Sequence, residues 1–209
     1  MNLIISGSQQ NGTEENLIRP IAERLYQVLK DEALVNPVLL PLYDGNDEAA
    51  LYHAIQASNA FCGDNGDYTG LNSRHFPIHA DGGYNATGAS GLYYSEAGKQ
   101  FITPILEGIM AVTPWADVGL RRRTDLGELK NTVAVAGLLE ISFYDHPDEL
   151  AWMQANTELL AQTMRKGIYQ AVNIPMPIPS IDYEAKYNEL LQQYYSMKRE
   201  VQEVINKYL

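Results

Sequence analysis

Cysteine is all but missing from this chain. Cys62 stands alone among 209 residues, which excludes an internal disulfide and any metal site built on a CxxC pair. Cys62 itself reads as a stray thiol. Positive charge is also scarce: 15 Lys and Arg face 26 Asp and Glu, for a net charge of −11 and a pI near 4.7. Such a surface repels phosphates, which argues against nucleic-acid binding and docking on anionic lipid. It suits a cationic partner, or solubility through self-repulsion. Long apolar runs are absent too. No window approaches the ~20 residues of a membrane span, and Met1–Ser6 is too short for a signal peptide. The expectation is a soluble chain, made in the cytoplasm without a signal peptide and released by another system if it acts outside. No GxGxxG, GxxxxGK or GxSxG pattern occurs, so dinucleotide, P-loop and serine-hydrolase chemistry lack support.

What is present is a chain of ordinary globular composition, 45% hydrophobic and 20% charged. Its length fits one large domain, or one domain with an appendage. Asn2-Leu3-Ile4-Ile5 reads as a buried strand entering the loop Ser6-Gly7-Ser8. Thr13 suits an N-cap with Glu14 and Glu15 in the first helical turn, and Leu17, Ile18, Ile21, Leu25, Val28 and Leu29 mark the helix face. Pro20 is a blemish in that helix. Leu34–Leu42, broken by Pro37 and Pro41, reads as an edge strand, Asp47–Ala57 as a helix and Cys62–Asn72 as a loop. Phe76–Ala80 and Gly91–Tyr94 read as short strands, Ala97–Met110 as a helix and Thr132–Ile141 as a central strand. Pro147–Val172 has helical character throughout. Strands alternating with helices predict an α/β domain with a twisted, mostly parallel mixed sheet flanked by helices.

Composition shifts at Asn173. Ile174–Pro179 alternates proline with apolar residues and reads as a semi-rigid linker. After it, 180–209 contains no proline or glycine. Tyr187, Leu190, Tyr194, Met197, Val201, Val204 and Tyr208 follow one another at spacings of 3, 4, 3, 4, 3 and 4, the seam of a helix. Two readings stand: a coiled coil joining copies of the chain, or an amphipathic helix folded on the body. The predicted domains are therefore 1–173, a linker at 174–179 and a helical tail at 180–209.

Glu140 is the oddest residue. A carboxylate closing the run Val133–Leu139 is costly to bury charged. The carboxyl end of a parallel strand is also where α/β proteins place ligands. Partial desolvation there raises a carboxylate toward the range useful to a general base; the alternative is a side chain that simply reaches solvent. His79 ends another short strand beside Asp81-Gly82-Gly83, either as a metal ligand or as a satisfied core histidine. Glu15 follows the loop of the first strand, either as a ligand or as a helix-start carboxylate. Together, three such residues after three strand ends point to a site for a cation such as zinc. His75 and His146 lie near as substitute ligands, and His53 falls inside a helix. Arg121-Arg122-Arg123 is a basic island, suited to a solvated turn or to pairing with a substrate carboxylate.

From about Asn2 to Val172, the order of these motifs resembles the catalytic domains of zinc-dependent N-acetylmuramoyl-L-alanine amidases, of the phage-endolysin and sporulation type. Leu3–Asn11 resembles the opening strand and metal loop of that family. Gly12-Thr13-Glu14-Glu15 resembles the segment with the glutamate ligand, and Pro77-Ile78-His79-Ala80-Asp81 the strand-end histidine motif. Gly119–Lys130 resembles the approach to the last core strand, Leu138–Phe143 the strand with the catalytic glutamate, and Pro147–Leu150 the following helix start. The resemblance implies hydrolysis of the amide between the lactyl group of N-acetylmuramic acid and L-alanine in peptidoglycan. One Zn2+ per chain would be held by His79 and Glu15, with Glu140 as catalytic general base. One departure is plain: the family usually has a loop histidine as third ligand, and this chain has Ser8-Gln9-Gln10-Asn11-Gly12. Gln10 is the expected equivalent and Gln9 the next, although an amide oxygen binds zinc far less well than imidazole. Peptidoglycan is the expected partner, with no nucleic acid and no membrane insertion, and with self-association through 180–209. The competing readings are a non-catalytic wall-binding or scaffold protein on the same fold, and a different amidohydrolase using the same metal site.

Overall fold

A computed structural model describes residues 1–8, 12–43, 46–83, 87–115, 117–176 and 191–201. The chain divides into two units, Met1–Met176 and Pro177–Leu209. In the first, a six-stranded sheet has the order β2-β1-β3-β6-β4-β5. The strands are β1 (Asn2–Gly7), β2 (Asn36–Leu39), β3 (Ser73–Asp81), β4 (Ala89–Tyr93), β5 (Asp117–Arg122) and β6 (Val135–Phe143). β2, β1, β3 and β6 are parallel; β4 runs antiparallel to β6, and β5 follows β4 in parallel. The helices are α1 (Thr13–Leu29), α2 (Asp47–Asp64), α3 (Glu96–Val112), the single turn α4 (Gly127–Lys130), α5 (Pro147–Ala155) and α6 (Thr157–Ala171). The predicted mostly parallel mixed sheet flanked by helices is the fold observed.

The two faces of the sheet differ, and period-two alternation is the reason. Leu3, Ile5, Phe76, Ile78, Leu139 and Ile141 point into the larger core, where Ile18, Ile21 and Leu25 of α1, Ile102 and Ile105 of α3 and Met164 and Ile168 of α6 cover them. All of these side chains are sealed from solvent. Their neighbours in sequence face the other way, under α2 and α4, where the apolar clusters are small. That thinner face therefore receives the polar residues Ser6, His75 and His79.

Two glycines let α3 lie against β6. A Cβ on Gly98 would stand 2.2 Å from the carbonyl oxygen of Ala136, and one on Gly137 would stand 2.9 Å from Cβ of Ile102. Several local expectations change. Gly12, at φ 115°, holds the N-cap of α1 in place of Thr13. Pro20 sits inside α1, but on its exposed side, where the carbonyl it leaves unpaired meets water. α2 runs on through Cys62 to Asp64, because Ile55, Ser58 and Cys62 keep its buried face in phase. The Arg121–Arg123 island is largely strand: β5 carries Arg121 and Arg122 along the sheet edge. The predicted helix 147–172 breaks into α5 and α6 at Asn156. Cys62 is a free, buried thiol. No helix among the described residues is long and apolar enough to cross a membrane.

In the second unit the described segment, 191–201, is helical. Tyr194, Met197 and Val201 lie along it, each more than half exposed. The rest of the proposed seam, and Pro177–Pro179 of the linker, fall outside the described residues.

Candidate active site

The parallel strands deliver their carboxyl ends to one edge, and the polar face there forms a cleft of about 430 Å3. β3 and β6 are adjacent, with His79 paired to Glu140 in register, and Ser90 of β4 stands on the other side of Glu140. His79, Asp81 and Glu140 line the cleft together with Glu128, Arg121 and Arg123. The structure thus brings two of the predicted residues, His79 and Glu140, side by side.

Glu15 is not the carboxylate that meets His79. That carboxylate is Glu14, whose Oε1 lies 3.0 Å from His79 Nδ1 and also accepts from the backbone N–H of Ala80 at 3.3 Å. The reason is helical phase. Glu14 shares the buried stripe of Leu17, Ile18 and Ile21, at spacings of three, four and seven residues, whereas Glu15 is turned about 100° round the helix. Gln10 lies outside the described residues.

A second carboxylate, one that sequence reasoning did not single out, holds the far side of the ring. α4 places Glu128 over the polar face, 95% buried, with Oε2 3.4 Å from His79 Nε2. Its Oε1 accepts from Ser6 Oγ at 3.0 Å and faces His75 Nε2 at 3.2 Å. His75 is fully buried, and its Nδ1 has no partner among the described residues. The contact with Glu128 therefore places the His75 proton on Nε2. His53 stacks instead on Tyr43, 5.5 Å between ring centres, and His146 precedes α5; neither lines the cleft.

Electrostatics follow from this packing. Burial acts against a charge on His79, but hydrogen bonds to Glu128 and Glu14 outweigh it and hold the imidazole well above its ordinary range. Glu128, though buried, is held well below the usual carboxylate range by its bonds to His75 and His79. Glu140 goes the other way. Its Oε2 is closed off from solvent and has no partner among the described residues. Burial, with Asp81 and Glu14 nearby, pushes it up to about 7 against the pull of His79 and Arg123. Arg123 is itself clamped by Asp125, with contacts of 2.9 and 2.6 Å.

Among the described residues, no three His, Cys, Asp or Glu side chains converge as a finished metal cage. The pair His79–Glu14 nevertheless has the chemistry of one. With Nε2 committed to Glu128, His79 Nδ1 meets Glu14 Oε1 at 3.0 Å, and two lone-pair acceptors at that distance require a cation between them. A proton meets the need, and a zinc ion, which takes imidazole nitrogen and carboxylate oxygen as ligands, would meet it too. The described residues supply two donors of a fitting kind.

No family model matches the sequence, and no curated protein matches it either. Solved structures do. The catalytic domain of the N-acetylmuramoyl-L-alanine amidase CwlV from Bacillus (Paenibacillus) polymyxa var. colistinus superposes with a TM-score of 0.68 at 18% identity, covering 84% of this chain and 100% of that one. The N-acetylmuramoyl-L-alanine amidase AmiC2 of Nostoc punctiforme gives 0.66 at 17%, covering 82% and 97%. The catalytic domain of the CD27L endolysin targeting Clostridia difficile gives 0.66 at 18%, covering 85% and 99%. The fold is that of these amidase catalytic domains. The resemblance read from the motifs holds at the level of the fold, over nearly the whole of each of these domains.

Proposed function

We propose that this chain is a zinc-dependent N-acetylmuramoyl-L-alanine amidase, cleaving the amide between N-acetylmuramic acid and L-alanine of peptidoglycan. The observation that carries the reading is the placement of Glu140. A buried carboxylate with an unpartnered oxygen stands beside a strand-end histidine, in the cleft of an amidase fold. His79 and Glu14 would hold the zinc, with Gln10, or next Gln9, as the third donor. Bound there, zinc would polarise the scissile carbonyl and acidify a water. The remaining steps belong to the chain. Glu140, raised to about 7, is poised to accept the proton of the attacking water at its carboxylate and to hand it to the departing amine nitrogen of L-alanine. Glu128 and Glu14 hold the His79 ring from both sides. Arg121 and Arg123, which line the same cleft, offer positive charge to a carboxylate of the stem peptide.

By the same reading the enzyme acts at the bacterial cell wall, delivered there by another system, and associates with a second copy through 180–209. The spacing of exposed Tyr194, Met197 and Val201 supports that role. The test is digestion of purified peptidoglycan. New L-alanine amino groups without new reducing sugars, abolished by chelator and restored by zinc, support the proposal. A second reading, a wall-binding protein on this fold, is favoured by one fact: the loop Ser8-Gln9-Gln10-Asn11-Gly12 has no histidine to complete a metal site. Binding to the wall with no release of amino groups would select it.

A further inference from the structure

Glu128 and His75, the pair behind His79, are costly to build. Glu128 is a carboxylate buried to 95%, on a four-residue helix, and its surroundings include a fully buried histidine. A buried charge of this kind persists only where donors satisfy it. Three do: Ser6 Oγ and His75 Nε2 on Oε1, and His79 Nε2 on Oε2, at 3.0, 3.2 and 3.4 Å. The donors come from β1 and β3, both interior strands, so the carboxylate is anchored to the sheet itself.

We infer that Glu128, fixed by Ser6 and His75, is the positioning residue of the metal centre: it pins the Nε2 proton of His79 so that Nδ1 is presented, with Glu14, to the cation. This inference rests on the zinc reading above. The chemistry is specific. With Oε1 taken up by the Ser6 hydroxyl and His75 Nε2, Glu128 turns its other oxygen to His79 Nε2, which donates to it. Nδ1, which faces Glu14 Oε1 at 3.0 Å, is then the nitrogen left to take a cation, a proton or zinc. A carboxylate behind a ligating imidazole fixes its tautomer, restrains its rotation and makes it a stronger donor, and losing one typically costs 10–100-fold in metal affinity. In a site whose loop carries no histidine, that reinforcement falls on the one imidazole in contact with Glu14.

The test compares the full-length wild type with Glu128→Gln and Ser6→Ala. Zinc affinity is measured by competition with a chromophoric chelator, His79 tautomer by 15N NMR of histidine-labelled protein, and thermal midpoint in chelator. We expect Glu128→Gln to bind zinc about 10–100-fold more weakly. In the wild type, zinc should move the Nδ1 resonance of His79 while Nε2 stays protonated; in the variant the ring should populate both tautomers. Ser6→Ala, which removes one of the holders of Glu128 and no charge, should weaken zinc severalfold, and it decides the matter if Glu128→Gln does not fold. A wild type that binds zinc with the same affinity as the folded variants overturns the role of Glu128 alone. A wild type that takes up no zinc overturns the metal reading, and this inference with it.

Discussion

Glu140 is asked to be both buried and ionisable, and that double demand has a measurable price in stability. Replacing it with glutamine keeps the shape and removes the charge. In the folded chain the carboxyl is raised from its ordinary 4.5 to about 7, chiefly by burial. Because the folded pKa lies above the unfolded one, the folded state binds more protons than the unfolded state between these values. Stability tied to Glu140 is therefore present in full below about pH 4.5 and is lost as pH rises through about 7. A rise of this size corresponds to about 3 kcal/mol at most. Glu140 is half-buried as a residue and one edge of it faces the cleft, so water relieves part of the cost and about 1–2 kcal/mol is the expected figure. Glu140→Gln should then match the wild type in urea unfolding near pH 4.5 and exceed it by about 1–2 kcal/mol at pH 8. Chelator is present throughout, so that bound cations contribute nothing. The same variant should lose about 10²–10⁴-fold in amide hydrolysis. A variant less stable than the wild type at pH 8, or a stability difference that does not change with pH, would show that Glu140 is not held raised by burial.

Three further outcomes follow from particular contacts. Glu14→Ala should abolish stoichiometric zinc binding, whereas Glu15→Ala should leave it within about twofold, since only Glu14 meets His79; metal analysis of the two purified variants separates them, and the opposite ranking would return the ligand to Glu15. Gly98→Ala should lower stability by about 1–3 kcal/mol despite alanine's better helix propensity, because the new Cβ would stand 2.2 Å from the Ala136 carbonyl; a higher thermal midpoint would contradict that close approach. Ending the chain after Met176 should leave a folded domain that sediments as a monomer while the full chain sediments as a dimer; equal association states would remove 177–209 as the contact.

The sequence made the sheet legible where each strand carries its own apolar run, as Leu3–Ile5 and Val135–Leu139 do. It also made part of the candidate site legible where a polar residue interrupts such a run, which is why Glu140 and His79, neighbours in the cleft, stood out. It did not make Glu128 legible. In Asp125-Leu126-Gly127-Glu128-Leu129 that glutamate looks like any solvated helix residue, and its burial depends on Ser6 and His75, 122 and 53 residues away. Glu14 was a different case, since its phase with Leu17, Ile18 and Ile21 was present in the sequence and marks it, not Glu15, as the inward carboxylate. The break at Asn156 and the strand β5 were hidden for a simpler reason. α5 and α6 are each helical on their own, so one long pattern spans both, and three arginines disguise an edge strand whose long side chains reach water.

The most direct test of the central claim is zinc per chain, measured on protein purified without chelator and paired with the release of L-alanine amino groups from peptidoglycan. Near-stoichiometric zinc is expected, with hydrolysis lost in the Glu140→Gln variant while its zinc remains. Hydrolysis that persists in Glu140→Gln, or a wild type that neither takes up zinc nor releases amino groups, would contradict that claim.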